Sequence, residues 1–136
     1  MKQINISKFI PAFAWFVVVL VLVCLPGSDI PSASWTDWIH FDKWVHTGIF
    51  CLLALLFMLP FAFASITHKE KLQYFLLIAI ATSIWGLATE FIQHWVPGRS
   101  FDLFDWAADS FGALIAFILC RKKLYLTIGK SARFFN

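Results

Sequence analysis

The chain has 136 residues, of which 60% are hydrophobic and only 14% charged, with a formal net charge of +3 and a mean hydropathy of +0.77. That length suits one domain, and this composition excludes an ordinary soluble protein. The positive excess is small and scattered, which speaks against a nucleic-acid partner.

Four apolar segments follow one another along the chain, at about 9–25, 44–64, 72–95 and 103–120. Each is near the roughly 17–25 residues that a helix needs to cross a bilayer. A spanning segment must be a helix or part of a closed barrel, and these runs are too long and unbroken for barrel strands. The expected fold is therefore all-α, a four-helix transmembrane bundle filling a single membrane domain over 1–136. Abundant Trp and Phe suit the membrane interface. Pro11 falls in the first turn of its span, where proline is tolerated, and Pro60 is expected to kink or end the second.

The first segment has a rival reading. A basic start, an apolar stretch and then PGSDIPSAS resemble a secretory signal peptide with a small-residue cleavage site. The length of the apolar stretch, and the lack of anything like an exported soluble domain after it, favour a retained span. Cys24, Cys51 and Cys120 stand singly in apolar surroundings, so they read as packing residues rather than disulfide or zinc partners.

Orientation follows from the basic residues. Lys2, Lys8, Lys69, Lys71, Arg121, Lys122, Lys123, Lys130 and Arg133 fall on one side, and only Lys43 and Arg99 on the other. By the positive-inside rule both termini are expected to be cytoplasmic, with segments 26–43 and 96–102 facing outward. The acidic residues then sort as well. Asp29, Asp37, Asp42, Glu90, Asp102, Asp105 and Asp109 lie at the outer side, and Glu70 alone at the inner.

Helical spacing gathers the outer charges into one expected pocket. Asp42 and His46 are four apart, hence on one face. Asp102, Asp105 and Asp109 form a stripe at spacings of three and four. Glu90 lies roughly 8 Å inside the end of its helix at 1.5 Å per residue, and Asp109 a comparable depth down the returning helix. The VPGRS loop, with Pro97 and Gly98, makes an antiparallel hairpin of the two. A charge at mid-membrane costs about 2.5–3.5 kcal/mol on insertion scales, so these groups should face the bundle interior or a wet cavity, paired with Arg99, Lys43 or His46, or with one carboxyl protonated. Gly86, one turn before Glu90, and the Gly112–Ala116 step provide close packing behind them.

Three chemistries suit such a set. Glu90 and Asp105, assisted by His46, are the candidate catalytic groups for general acid–base work. Asp42, Lys43, Gln93, Arg99, Asp102 and Asp109 are candidate binding residues, with Arg99 and Lys43 able to clamp a phosphate or carboxylate. Carboxylates with His46 or His94 also suit a divalent metal, but no HExxH or other recognised ligand spacing is present, and no metal or cofactor is assigned. No Gly-rich phosphate loop or GxSxG is present either. His40, His68 and His94 read as interfacial or loop histidines. The bland alternative is a structural network, in which Asp42, Lys43, Arg99 and Asp102 satisfy helix ends and snorkel.

DKWVH at 42–46 and GLATEFIQHWVPGRSFDLFDWAADSFGALIA at 86–116 resemble the VanZ-like family of small bacterial membrane proteins. The family pattern has a D-K-x-x-H start to one span, then E-x-x-Q, a P-G-R loop, two spaced aspartates and an Asn–x–x–Gly step. Asp42, Lys43, His46, Glu90, Gln93, Pro97, Gly98, Arg99, Asp102, Asp105 and Gly112 match it. Asp109 departs, standing where the family usually has asparagine. The family is named for a protein associated with low-level resistance to the glycopeptide antibiotic teicoplanin. The resemblance thus implies a multi-pass protein of the bacterial cytoplasmic membrane, among membrane lipids. The charge and topology of the outer pocket, rather than the resemblance, supply the expected role: the protein binds or shields an anionic amphiphile, either a lipid-linked cell-wall precursor or a glycopeptide antibiotic. The alternative expectation is an enzyme acting on a lipid-linked envelope substrate. A proton- or ion-coupled carrier is less well supported, because the inner half offers no continuing relay of carboxylates.

Overall fold

The computed structural model describes residues 4–26 and 41–133, with side chains as far as residue 124. Asp29, Asp37, His40, most of the 26–43 segment and nearly all of the candidate cleavage sequence lie outside the described residues. Every regular element described is helical. A 3-10 turn, Ile6–Phe9, leads into α1 (Ile10–Cys24). Then come α2 (Phe41–Ala62), α3 (His68–His94) and α4 (Leu103–Arg133). Among the described residues, four helical stretches are long and apolar enough to cross a membrane: Ile6–Cys24, Phe41–Ala62, His68–His94 and Leu103–Leu124.

The helix ends differ from the expected spans for local reasons. Pro11 sits in the first turn of α1, where its missing N–H costs no helical bond. α2 starts at Phe41, which puts Asp42 in its first turn beside the positive end of the helix dipole. Pro60 lies within α2, and the helix stops two residues later at Ala62, whose carbonyl accepts from Lys71 Nζ at 2.9 Å. α3 begins before the apolar run does, because Thr67 and Glu70 form a reciprocal capping box. Thr67 N–H donates to Glu70 Oε2 at 2.8 Å and Glu70 N–H donates to Thr67 Oγ1 at 3.2 Å. Past α3 the chain reverses through a tight turn in which Gly98 has φ 74°, a left-handed conformation suited to glycine. Asp102 then starts α4 by accepting the Phe104 N–H at 2.8 Å.

α4 is the central helix, packed most closely on α2 and next on α3, while α1 leans on α2 and α3. Gly112 makes the α2–α4 approach possible. A β-carbon there would collide with the Thr47 carbonyl oxygen and sit 2.9 Å from the Cys51 nitrogen. Thr47 Oγ1 donates to the Ala108 carbonyl at 3.2 Å across the same seam. Between α3 and α4, Ser83 and Ser110 hydroxyls meet at 2.7 Å, and Trp106 Nε1 donates to the Ser83 carbonyl at 3.0 Å. These small and hydroxylated residues are what helix association in lipid uses, since apolar surface gains nothing by leaving lipid tails.

Two apolar clusters fill the interior. Ala54, Met58, Phe75, Ala113, Ala116 and Cys120 join α2, α3 and α4. Val19, Val23, Phe50 and Leu53 join α1 to α2. The perimeter remains apolar, with Phe13, Val17, Leu77, Ile84 and Ile118 all exposed. That inside-out greasiness suits a lipid surround. One end of the bundle gathers Phe9, Phe61, Phe63, Tyr74 and Lys123. The opposite end carries the charges.

Candidate functional site

The charged end is built by three helices. α2 contributes Asp42, Lys43 and His46; α3 contributes Glu90 and Gln93; the turn adds Arg99 and Asp102; α4 adds Asp105 and Asp109. All nine residues singled out from sequence therefore fall at this end. They divide into three linked arrangements.

Lys43 holds the first. Its ammonium lies 2.9 Å from Asp42, 2.6 Å from Asp102 and 2.5 Å from Asp105. The Lys43 ammonium beside Asp102 holds that carboxyl below the usual carboxylate range, against a smaller opposing effect of burial. Three carboxylates around one ammonium leave it little charge to offer a ligand, so Lys43 is a clasp between α2 and the start of α4. The expectation that Lys43 clamps an external anion narrows to Arg99.

The second arrangement is a pair. His46 Nδ1 lies 2.9 Å from Asp109 Oδ1, while its Nε2 is 4.0 Å from Asp105 Oδ2. The aspartate hydrogen-bonded to the histidine is thus Asp109, and Asp105 serves Lys43. Asp109 is fully buried and its Oδ2 has no hydrogen-bond partner. The carboxyl fits against α3 only because residue 86 is glycine: a β-carbon there would lie 2.8 Å from Asp109 Cβ and Oδ2.

Glu90 anchors the third. It is fully buried, and its Oε2 accepts the Asp102 backbone N–H at 2.9 Å, which ties α3 to the entry of α4. With the Gln93 amide oriented to suit its neighbours, Gln93 donates to Glu90 Oε1 at 3.2 Å and accepts from Arg99 Nη2 at 3.3 Å. Arg99 makes no ion pair among the described residues, and its Nε is buried without a hydrogen-bond partner. The sequence-level pairing of Arg99 with a carboxylate is therefore replaced by an indirect link through Gln93.

Arg99, Gln93 and His46 line one end of a cavity of about 240 Å³ whose remaining wall is apolar and includes Val19, Leu22 and Phe50. A second cavity of about 250 Å³ lies among α1, α2 and α3, beside Phe16, Leu53 and Trp85. The charged end thus opens onto the apolar wall of the first cavity, a short greasy track between α1 and α2. Sequence reasoning placed the polar half but not this track, because α1 carries no chemistry of its own to mark it. Thr47 and Trp106 were also missed, and the only sequence signal was their position beside His46 and Asp105. His94 lies away from the cluster, edge-on to Trp95, and His68 begins α3 at the far end.

Four membrane-length apolar helices around a carboxylate-rich polar end define a multi-pass membrane protein. The VanZ/LLP1 family model matches residues 4–127, and the chain belongs to that family. An uncharacterized protein of Schizosaccharomyces pombe is 35% identical over 78 residues, which are 57% of this chain and 45% of the yeast protein. The chain thus spans less than half the length of that relative. No solved structure matches the chain.

Proposed function

We propose that this protein binds an anionic amphiphile, with the charged head at Arg99 and the upper hydrocarbon chain along the α1–α2 seam. One observation carries the reading. Arg99 is a cation without a carboxylate partner among the described residues, and it stands at the polar end of an otherwise apolar cavity of about 240 Å³. A guanidinium fork matches phosphate or carboxylate oxygens, and the cavity wall below suits alkyl chain. The excess of Lys and Arg at the opposite end supports an outward-facing pocket in the bacterial cytoplasmic membrane. In that setting the ligands are lipid-linked cell-wall precursors or lipoglycopeptides, and occupancy would shield the envelope as in teicoplanin resistance.

The test is binding of a short-chain, phosphate-headed fluorescent lipid to the purified chain in detergent. Arg99→Ala is expected to weaken binding at least about tenfold, the worth of a good charge-assisted contact. Unchanged binding in Arg99→Ala would sink the reading.

The hydrogen-bonded His46–Asp109 pair beside Glu90 supports a second reading, acid–base catalysis on a lipid-linked substrate. Envelope lipids from cells expressing the wild type and Glu90→Gln separate the two. A covalently altered lipid made only with the wild type favours the enzyme, and identical lipids favour the binder.

A further inference from the structure

Two fully buried carboxyl groups, Glu90 and Asp109, lie within the apolar spans and have no arginine or lysine partner among the described residues. Lys43, the nearest strong cation in the chain's own network, is committed to Asp42, Asp102 and Asp105. Arg99 reaches Glu90 only through Gln93. Among the described residues, five carboxyls therefore meet two permanent cations at this end, and the two innermost have only the His46 imidazole beside them. Burying such charge is costly unless something neutralises it.

One atom each from His46, Glu90 and Asp109 lies within 4.8 Å of the others. That spread is little more than the about 4.2 Å between opposite donors across a cation with bonds of about 2.1 Å. The 2.9 Å between His46 Nδ1 and Asp109 Oδ1 matches adjacent donors around such an ion, about 3 Å apart. A second feature points the same way. Asp109 Oδ2 is buried and unpartnered, turned toward α3 at Gly86, one turn from Glu90. We infer that His46, Glu90 and Asp109 bind one divalent transition-metal ion, of the zinc or manganese kind.

The surroundings are those of a supported site. Glu90 is held by the Asp102 N–H and by Gln93, yet each of its oxygens keeps a lone pair. The other nitrogen of His46 lies 4.0 Å from Asp105, beyond a direct hydrogen bond, and Asp105 is itself held by Lys43. An imidazole with two carboxylates selects zinc or manganese over calcium and magnesium, which prefer oxygen alone. Three protein donors leave open positions, and His46 also lines the amphiphile cavity. The ion would therefore meet the anionic head beside Arg99. That last step rests on the amphiphile reading; the metal site itself does not.

The experiment uses the full chain purified in detergent, stripped with a chelator, passed through size exclusion and titrated separately with Zn²⁺ and Mn²⁺. Metal content is read by mass spectrometry and affinity by calorimetry. The expected result is about one ion per chain for at least one metal, with uptake reduced at least about tenfold in His46→Ala, Glu90→Gln and Asp109→Ala. Glu90→Gln keeps the shape and an oxygen for the Asp102 N–H, so loss of uptake with an unchanged size-exclusion profile reports ligation rather than misfolding. Thr67→Ala, at the opposite end of the bundle, keeps the ion. Absence of stoichiometric uptake by the wild type, or equal uptake in all three ligand variants, overturns the site and leaves protons as the neutralising charge. Binding the phosphate-headed lipid alongside distinguishes the two readings. Metal uptake without lipid binding supports the site and ends the amphiphile reading; Arg99-dependent lipid binding without metal uptake overturns the site alone.

Discussion

His46 and Asp109 face each other across the α2–α4 seam with Nδ1 and Oδ1 2.9 Å apart, one residue partly exposed to the cavity and the other fully buried. The pair couples the polar pocket to the packing of the bundle, because Asp109 also fills the space left by Gly86. Asp109→Ala removes the partner of His46 and opens a void against α3. The expected loss is about 1–3 kcal/mol of stability, measured by denaturant unfolding in detergent.

The glycines of the bundle separate by neighbourhood. Gly112 lies against the α2 backbone, so Gly112→Ala forces two backbones apart and is expected to lower the melting temperature sharply or abolish monodisperse purification. Gly48, on α2, has nothing within 4 Å of a built β-carbon. Gly48→Ala should be neutral or stabilising by up to about 1 kcal/mol through helix propensity. Equal effects of the two substitutions would contradict the packing described.

Acid should expose the Lys43 clasp. Because the folded-state carboxyl of Asp102 is held below its ordinary value, its contribution is complete above about pH 4, the unfolded value, and is lost as pH falls through the lower folded value. Melting temperatures of wild type and Asp102→Asn are expected to differ between pH 7 and about pH 4 and to converge below that. A gap that persists into strong acid would mean that the charge of Asp102 is not what stabilises the fold.

The greasy track makes a prediction separate from the charge. Leu22 lines the cavity and is 37% exposed, so a larger ring is tolerated there without rebuilding the core. Leu22→Trp should weaken long-chain phosphate lipids several-fold while leaving a head-only phosphate ester unaffected. Arg99→Lys, which keeps the charge but loses the fork, should fall between wild type and Arg99→Ala for both. Competition binding with a chain-length series reads both effects.

At the opposite end, the Thr67–Glu70 box governs where α3 begins. Thr67→Ala is expected to cost about 1 kcal/mol and to speed hydrogen exchange in residues 68–72, with no change at the charged end.

The sequence by itself determined the four spans, their approximate limits and the gathering of Asp42, Glu90, Asp102, Asp105 and Asp109 at one end. Hydrophobic length sets what lipid will accept, and 3.6-residue periodicity sets which face and level a side chain occupies. DKWVH, Glu90 and the Asp102–Asp105–Asp109 stripe were legible on that basis, as was the need for Gly86 and Gly112. The earlier start of α3 was readable too, in the capping box, although the apolar run alone concealed it. Only the tertiary structure decided the partners. Periodicity brings Lys43, His46 and Arg99 to the same level as the carboxylates but leaves open the rotation of each helix about its neighbours. That rotation follows from backbone approach at Gly112 and Gly86, and it delivers Lys43 to Asp102 and Asp105, His46 to Asp109, and Arg99 to the mouth of the α1–α2 cavity.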